Sequence, residues 1–284
     1  MRTIIFGTKG MLGSDLASIF SDWNPKLLGK EEIDIADEKA VFNLLRDVQP
    51  EVVINAAAYT DVDGCEANRE LAISVNGDAP QYLAAASKEV GAIFVHYSTD
   101  YVFSGDRQEG YKEDDEPTGE PVNFYGESKL AGENAIREVG GKYYIIRTSW
   151  LFGLNGKNFV ETMLRLAQEK DEVRIVDDQH GKPTYTLDLA KKTRELIEGG
   201  YEPGIYHMVN EPATTWYGFA KEIFRQAQDK YSWDKSIVVA PVDSKEFPRP
   251  AKRPEHSILL NTKLPPMRSW QEALRDYLQQ RNKN

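Results

Sequence analysis

The sequence predicts an α/β fold: a Rossmann-type doubly wound parallel sheet joined to a smaller mixed α/β unit. Three observations predict it. Short β-rich runs alternate with helical patterns through the first 150 residues, the first run feeds a glycine-rich turn, and the later runs are apolar almost throughout. Strands buried on both faces of a parallel sheet look like this, because crossover helices cover both sides.

In order, TIIF at 3–6 leads through GTKGMLG at 7–13 into apolar residues at helical spacing from Met11 to Phe20. Lys26 to Leu28, a helix near Asp37 to Arg46, and VVIN at 52–55 complete a βαβαβ pattern. An alanine-rich helix from Ala79 to Val90 precedes AIFVHYS at 92–98, and YYIIRTS at 143–149 is a further buried strand. Ligands of such a sheet gather at the carboxyl ends of its strands. The stretch from Phe103 to Pro121 is rich in Gly, Asp, Glu and Pro without an apolar period, so it reads as a loop near that edge. Beyond residue 150 the pattern is mixed, with helices near 158–169, 187–198, 215–229 and 270–280. We expect a dinucleotide-binding domain over residues 1–150, with later segments returning to it, and a mainly substrate-binding domain over 151–284.

A chain of 284 residues is long enough for both units. Its 28% charged residues and the lack of any apolar run near 20 residues predict a soluble protein with no membrane span. MRTIIFGTKG runs from three apolar residues straight into glycines, which is not a secretion signal. With Cys65 as the single cysteine, an intramolecular disulfide is excluded and the cytoplasm is the expected compartment. The net charge of −10 argues against a nucleic-acid or membrane-surface role, so an anionic ligand needs a local, focused site.

Gly7, Gly10 and Gly13 stand where such a site is expected, between the first strand and the first helix. There the backbone can turn tightly, approach a pyrophosphate and offer it amide donors at the positive end of the helix. At the end of the second strand, where an acidic residue would bond a ribose and repel a 2′-phosphate, the chain has Gly29 and Lys30. This leans towards NADPH and leaves NADH open.

Thr99, Tyr125 and Lys129 are the sharpest constellation, within YSTDYVF and YGESK. Tyr125 and Lys129 are four residues apart, on one face of a helix, so the ammonium can lie near the phenol oxygen. A unit charge at ~4 Å in an effective dielectric of ~20 is worth roughly 4 kcal/mol, an upper limit for lowering the phenol pKa because desolvation opposes it. Thr99, just past a buried strand, can bond a substrate oxygen. No HExxH, GxSxG or paired-cysteine motif is present. His96 falls within the fourth strand, and His180, His207 and His256 in distal segments, so core or surface roles are expected and no metal site.

GTKGMLG, NAAAYTDVDGCE, HYSTDYVFSG, YGESKLAGE and RTSWLFG, in this order, closely resemble the dTDP-4-dehydrorhamnose reductase family, an extended short-chain dehydrogenase/reductase. KNFVETML, DDQHGKPTYTLDLA, GIYHMVN, TTW and RPEHSILLNT carry the resemblance through the rest of the chain. It implies reduction of the C4 keto group of dTDP-4-dehydro-L-rhamnose to dTDP-L-rhamnose. It also implies that Gly10, Met11, Leu12, Asp34, Ile35, Ala57, Ala58 and Tyr59 line the cofactor, together with Tyr125 and Lys129. Ser98, Thr99 and Trp150 would touch the substrate, and the segment from Gln179 to Thr184 would help enclose it. Related dTDP-glucose dehydratases continue the STD motif with a glutamate; Tyr101 stands there instead, which favours carbonyl reduction over dehydration. Some family members use glutamates in magnesium-assisted dimers, but PTYTLDLA offers Thr186 and Leu187. Magnesium use, and the choice between monomer and homodimer, stay open. Two alternatives also stay open: another nucleotide-sugar 4-reductase or epimerase, and a non-catalytic dinucleotide-binding regulatory subunit, against which the intact Thr99, Tyr125 and Lys129 speak.

Overall fold

The computed structural model describes residues 1–117, 120–231 and 236–281. Strand β1 (Thr3–Phe6), helix α1 (Met11–Ile19), β2 (Lys26–Leu28), α2 (Glu38–Val48) and β3 (Val52–Asn55) make the expected opening unit. Helices α3 (Val62–Ala67) and α4 (Arg69–Ile73), a π turn at Ser74–Asp78 and α5 (Ala79–Glu89) then lead to β4 (Ile93–Thr99). Helix α6 (Phe124–Val139) and β5 (Tyr143–Thr148) follow. The second half contains β6 (Leu151–Phe152), α7 (Phe159–Glu169), β7 (Glu172–Val176), β8 (His180–Gly181), β9 (Thr184–Tyr185) and α8 (Thr186–Glu198). It ends with β10 (Gly204–His207), β11 (Thr214–Thr215), α9 (Trp216–Tyr231), β12 (Val238–Val242) and α10 (Trp270–Arg281).

Six strands form one sheet in the order β2-β1-β3-β4-β5-β10, every pair parallel. The chain steps from β1 outward to β2, then crosses back to β3, so the winding reverses between β1 and β3 and a crevice opens at their carboxyl ends. Alternation within the strands fills both faces. Ile5, Ile54, Val95 and Ile146 meet Leu12 and Leu16 of α1 and Leu189 and Leu196 of α8 on one side. Ile4, Val53, Phe94 and Ile145 meet Val41 and Leu45 of α2, Leu83 of α5 and Ile136 of α6 on the other. Each side chain so buried contributes roughly 1.5–3 kcal/mol.

Helices α2, α6 and α7 begin on Asp37, Asn123 and Asn158, whose side chains accept from the amides of Ala40, Gly126 and Glu161. Such a cap is worth about 1 kcal/mol. Helix α1 begins on Gly10 with no side-chain cap and no acidic residue in its first turn.

A separate core joins α7, β7, α9 and α10 through Met163, Leu164, Val173, Phe219, Ile223, Trp270 and Leu274. Strand β12 extends it, running parallel to β7. Between the two cores the chain passes back: α8 packs on the α1 face and β10 adds the last strand of the large sheet.

Candidate active site

Gly7 ends β1 in a left-handed conformation, φ +79°, and a Cβ there would lie 2.6 Å from the Ala57 amide nitrogen. Only glycine permits this close turn. It brings the loop after β1 against the loop after β3 and leaves the first amides of α1 without side-chain partners. A cavity of about 380 Å³ runs from this turn past Gly29, Lys30, Asp34 and Ile35 to Ala57, Ala58 and Tyr59. A second, of about 550 Å³, shares Gly10 and Ala56–Ala58 with it. It continues past Met11, Leu12 and Gly13 to Ser98, Thr99, Tyr125, Lys129 and Trp150. Gln179 is the exception: it lies half-buried between β7 and β8, outside both linings.

Ser98 and Thr99 close β4 at the carboxyl edge of the sheet. Thr99 Oγ1 donates to Asp100 Oδ1 at 3.0 Å and accepts from the Tyr101 amide at 3.2 Å. Helix α6 presses against this corner so tightly that a Cβ at Gly126 would stand 2.1 Å from the Tyr101 carbonyl oxygen. The glycine therefore sets the distance at which Tyr125 and Lys129 face β4. Ser98 and Thr148 line the same cavity, and their buried hydroxyls have no hydrogen-bond partner among the described residues.

Electrostatics differ from the expectation for Tyr125. Burial pushes its phenol up, the Asp100 carboxyl pushes it further, and the Thr99 hydroxyl alone pulls it down. Lys129 Nζ is engaged with β4: it donates to Tyr97 O at 2.7 Å and stands 3.1 Å from His96 Nε2. Burial brings Lys129 down to about 8, opposed by Glu133 one turn further along α6. Glu133 is itself held by Arg147 of β5 in a two-pronged ion pair, with both side chains 1% exposed. Burial also raises Asp100 to about 7.

Trp150 adopts a left-handed conformation, φ 47°, costly for a bulky residue by roughly 1–2 kcal/mol. Its indole stacks on Trp216, ring centres 3.7 Å apart and planes 9° from parallel, which fixes it as one wall of the cavity.

The whole chain fits one family model, the RmlD substrate binding domain, over residues 1–283. A dTDP-4-dehydrorhamnose reductase of Burkholderia thailandensis is 42% identical, with 93% of this chain and 92% of that protein covered. The chain belongs to the dTDP-4-dehydrorhamnose reductase family. The spore coat polysaccharide biosynthesis protein SpsK of Bacillus subtilis is 39% identical, covering 99% of this chain and 98% of its own. Among solved structures, the Bacillus anthracis dTDP-4-dehydrorhamnose reductase in complex with NADP superposes with a TM-score of 0.91 at 39% identity. That match covers 98% of this chain and 99% of the other.

In this family member the fold adds residues that the sequence did not single out. Tyr97, Asp100, Lys157 and Trp216 line the inner cavity. TTW was legible as a motif, but only packing puts Trp216 under Trp150. Lys9 lines the outer cavity, where Glu31 bonds it and Glu32 lies 3.7 Å away. Glu32 also accepts from the Gly29 amide at 2.7 Å, so acidic groups reach the end of β2 from just beyond it. Thr186 is buried and donates to Asp15 Oδ2 at 2.5 Å. Among the described residues no group of three or more His, Cys, Asp or Glu side chains is placed to hold a metal ion. Nor, among them, is any helix long and apolar enough to cross a membrane.

Proposed function

We propose that this chain reduces the C4 keto group of dTDP-4-dehydro-L-rhamnose to give dTDP-L-rhamnose in the cytoplasm, with NADPH as the preferred cofactor. The observation that carries the reading is one continuous cleft running from the uncapped start of α1 to Thr99, Tyr125 and Lys129. A dinucleotide fits it: the α1 amides suit a pyrophosphate, and the outer cavity has room for an adenosine. Lys9 and Lys30 beside that cavity favour the extra phosphate of NADPH. Glu31 and Glu32 offset part of their charge, which leaves NADH as a weaker competitor.

When bound, the dinucleotide supplies the hydride that C4 receives. Tyr125 gives the C4 oxygen its proton. Because burial holds the phenol above its ordinary value, Tyr125 keeps that proton at neutral pH until negative charge develops on the substrate. Thr99 holds the same oxygen by its hydroxyl, and Lys129 stabilises the phenolate left behind and the nicotinamide ribose. Ser98 offers a further buried hydroxyl to the sugar, and the Trp150–Trp216 stack walls the far side. The unit built on α7, α9 and α10 supplies this wall and serves as the substrate-binding half.

NADPH oxidation measured against a panel of nucleotide 4-keto sugars tests the reading, with fastest turnover expected on dTDP-4-dehydro-L-rhamnose. Tyr125→Phe should lose about 10² to 10⁴ in turnover with cofactor affinity nearly unchanged. Lys129→Met should damage both. A folded Tyr125→Phe enzyme with near-normal turnover would show that another group supplies the proton.

A further inference from the structure

Behind the inner cavity, five polar groups form one chain of hydrogen-bonding contacts. The Ala57 amide donates to Asn55 Oδ1 at 3.0 Å, and Asn55 Nδ2 lies 3.1 Å from His96 Nδ1. His96 Nε2 lies 3.1 Å from Lys129 Nζ, which donates to Tyr97 O at 2.7 Å. Asn55 and His96 are 1% exposed and Lys129 is 2% exposed, so their partners are one another.

The direction of this chain is fixed at one end. A backbone N–H only donates, so Asn55 turns its oxygen to Ala57 and its NH₂ to His96. An amide NH₂ also only donates, which makes His96 Nδ1 the acceptor and puts the imidazole proton on Nε2. That N–H points at Lys129. A neutral amine meets it with a lone pair, whereas an ammonium sets two donors face to face. For a charged Lys129 to be satisfied, His96 must carry its proton on Nδ1 and Asn55 must turn over, placing its NH₂ against the Ala57 N–H.

We propose that His96 and Asn55 are positioning residues of the reduction, coupling the proton on Lys129 to the Ala56–Ala58 segment that lines the cofactor cleft. This rests on the reading of Lys129 given above. Burial acts in the same sense, lowering Lys129 and holding His96 well below its ordinary range. Other titratable groups surround this face. Glu133, tied to Arg147, favours the charge on Lys129. The Asp100 carboxyl and the Tyr125 phenol line the same cavity, while the Tyr97 phenol turns away to Thr193 Oγ1 at 2.7 Å.

The test uses the full-length protein labelled with ¹⁵N-histidine, whose four histidines are His96, His180, His207 and His256. Long-range proton–nitrogen NMR reads the tautomer, and the signal lost in His96→Gln identifies His96. Above the pH at which turnover falls, where Lys129 is neutral, the native protein should show neutral His96 with its proton on Nε2. Asn55→Asp reverses the chain, since a carboxylate accepts from both the Ala57 amide and Nδ1–H, and should move the proton to Nδ1. In that variant the alkaline fall in turnover should shift upward by about one pH unit or more, a tenfold gain in proton affinity at Lys129. A packing role alone would lower the rate at every pH and leave that fall in place.

If Asn55→Asp does not fold, His96→Gln, which can turn its amide oxygen to the ammonium, should shift the fall in the same direction. A native Nδ1–H tautomer above the pH at which turnover falls, or a stationary pH profile in the folded variants, overturns the proposal. Full turnover in Lys129→Met would instead overturn the role of Lys129, and the NMR result would stand apart from it.

Discussion

Asp100 illustrates how one residue's burial becomes a property of the protein. Its carboxyl sits between Thr99 and the Tyr125 corner, 2% exposed, and is raised to about 7. In the unfolded chain the same group titrates near 4. Between these values the folded protein binds more protons than the unfolded chain, so this group's contribution to stability is greatest at low pH and falls as pH rises from about 4 to about 7. The loss is on the order of 4 kcal/mol. Urea denaturation from pH 4 to pH 7.5 should show the native protein losing stability relative to Asp100→Asn across this window. Parallel curves would mean that Asp100 keeps its charge in the folded state. The sequence shows Asp100 only as the last letter of STD, with no role and no shift legible there, because burial is a property of the packed corner.

At the scale of elements, the two ends of the cleft depend on how helices meet the sheet. Gly10 starts α1 with an ordinary negative φ of −78°, and a Cβ there would stand 3.2 Å from Gly7 O, so Gly10→Val should fold. Its branched side chain would nevertheless stand where a pyrophosphate must approach, so NADPH affinity should fall at least tenfold by titration. Unchanged affinity in the folded variant would remove the turn from the cofactor site. At the other end, α6 is tied to β5 by the buried Glu133–Arg147 pair. Glu133→Gln leaves Arg147 charged and without its carboxylate, which should cost about 3–5 kcal/mol in chemical denaturation. A loss below 1 kcal/mol would mean that Arg147 finds water or another partner. Tyr125 and Lys129 were legible as a spaced pair. The bonds of Lys129 Nζ to Tyr97 O and towards His96 of β4 were not, because they join residues more than thirty positions apart in the chain.

At the scale of the whole molecule, the large sheet is completed by chain from beyond residue 150: α8 covers the α1 face and β10 pairs with β5. A fragment of residues 1–150 would leave Leu12, Leu16 and the β5 edge bare. It should show no cooperative thermal unfolding by circular dichroism, and a sharp two-state transition would show that the first half folds alone. The sequence by itself determined the alternating strands and helices, the parallel sheet, the glycine turn and the Thr99–Tyr125–Lys129 pattern. Apolar periodicity and turn chemistry are local, so each is written where it acts. The run from Val62 to Asp78 escaped it, since those short helices carry no long apolar stripe. The sequence predicted that later segments return to the first domain; tertiary structure alone decided that these are α8 and β10, that Trp150 stacks on Trp216, and that Asn55, His96 and Lys129 meet. Each joins residues distant in sequence, and the burial that shifts Tyr125, Asp100 and Lys129 exists only once those distant segments exclude water.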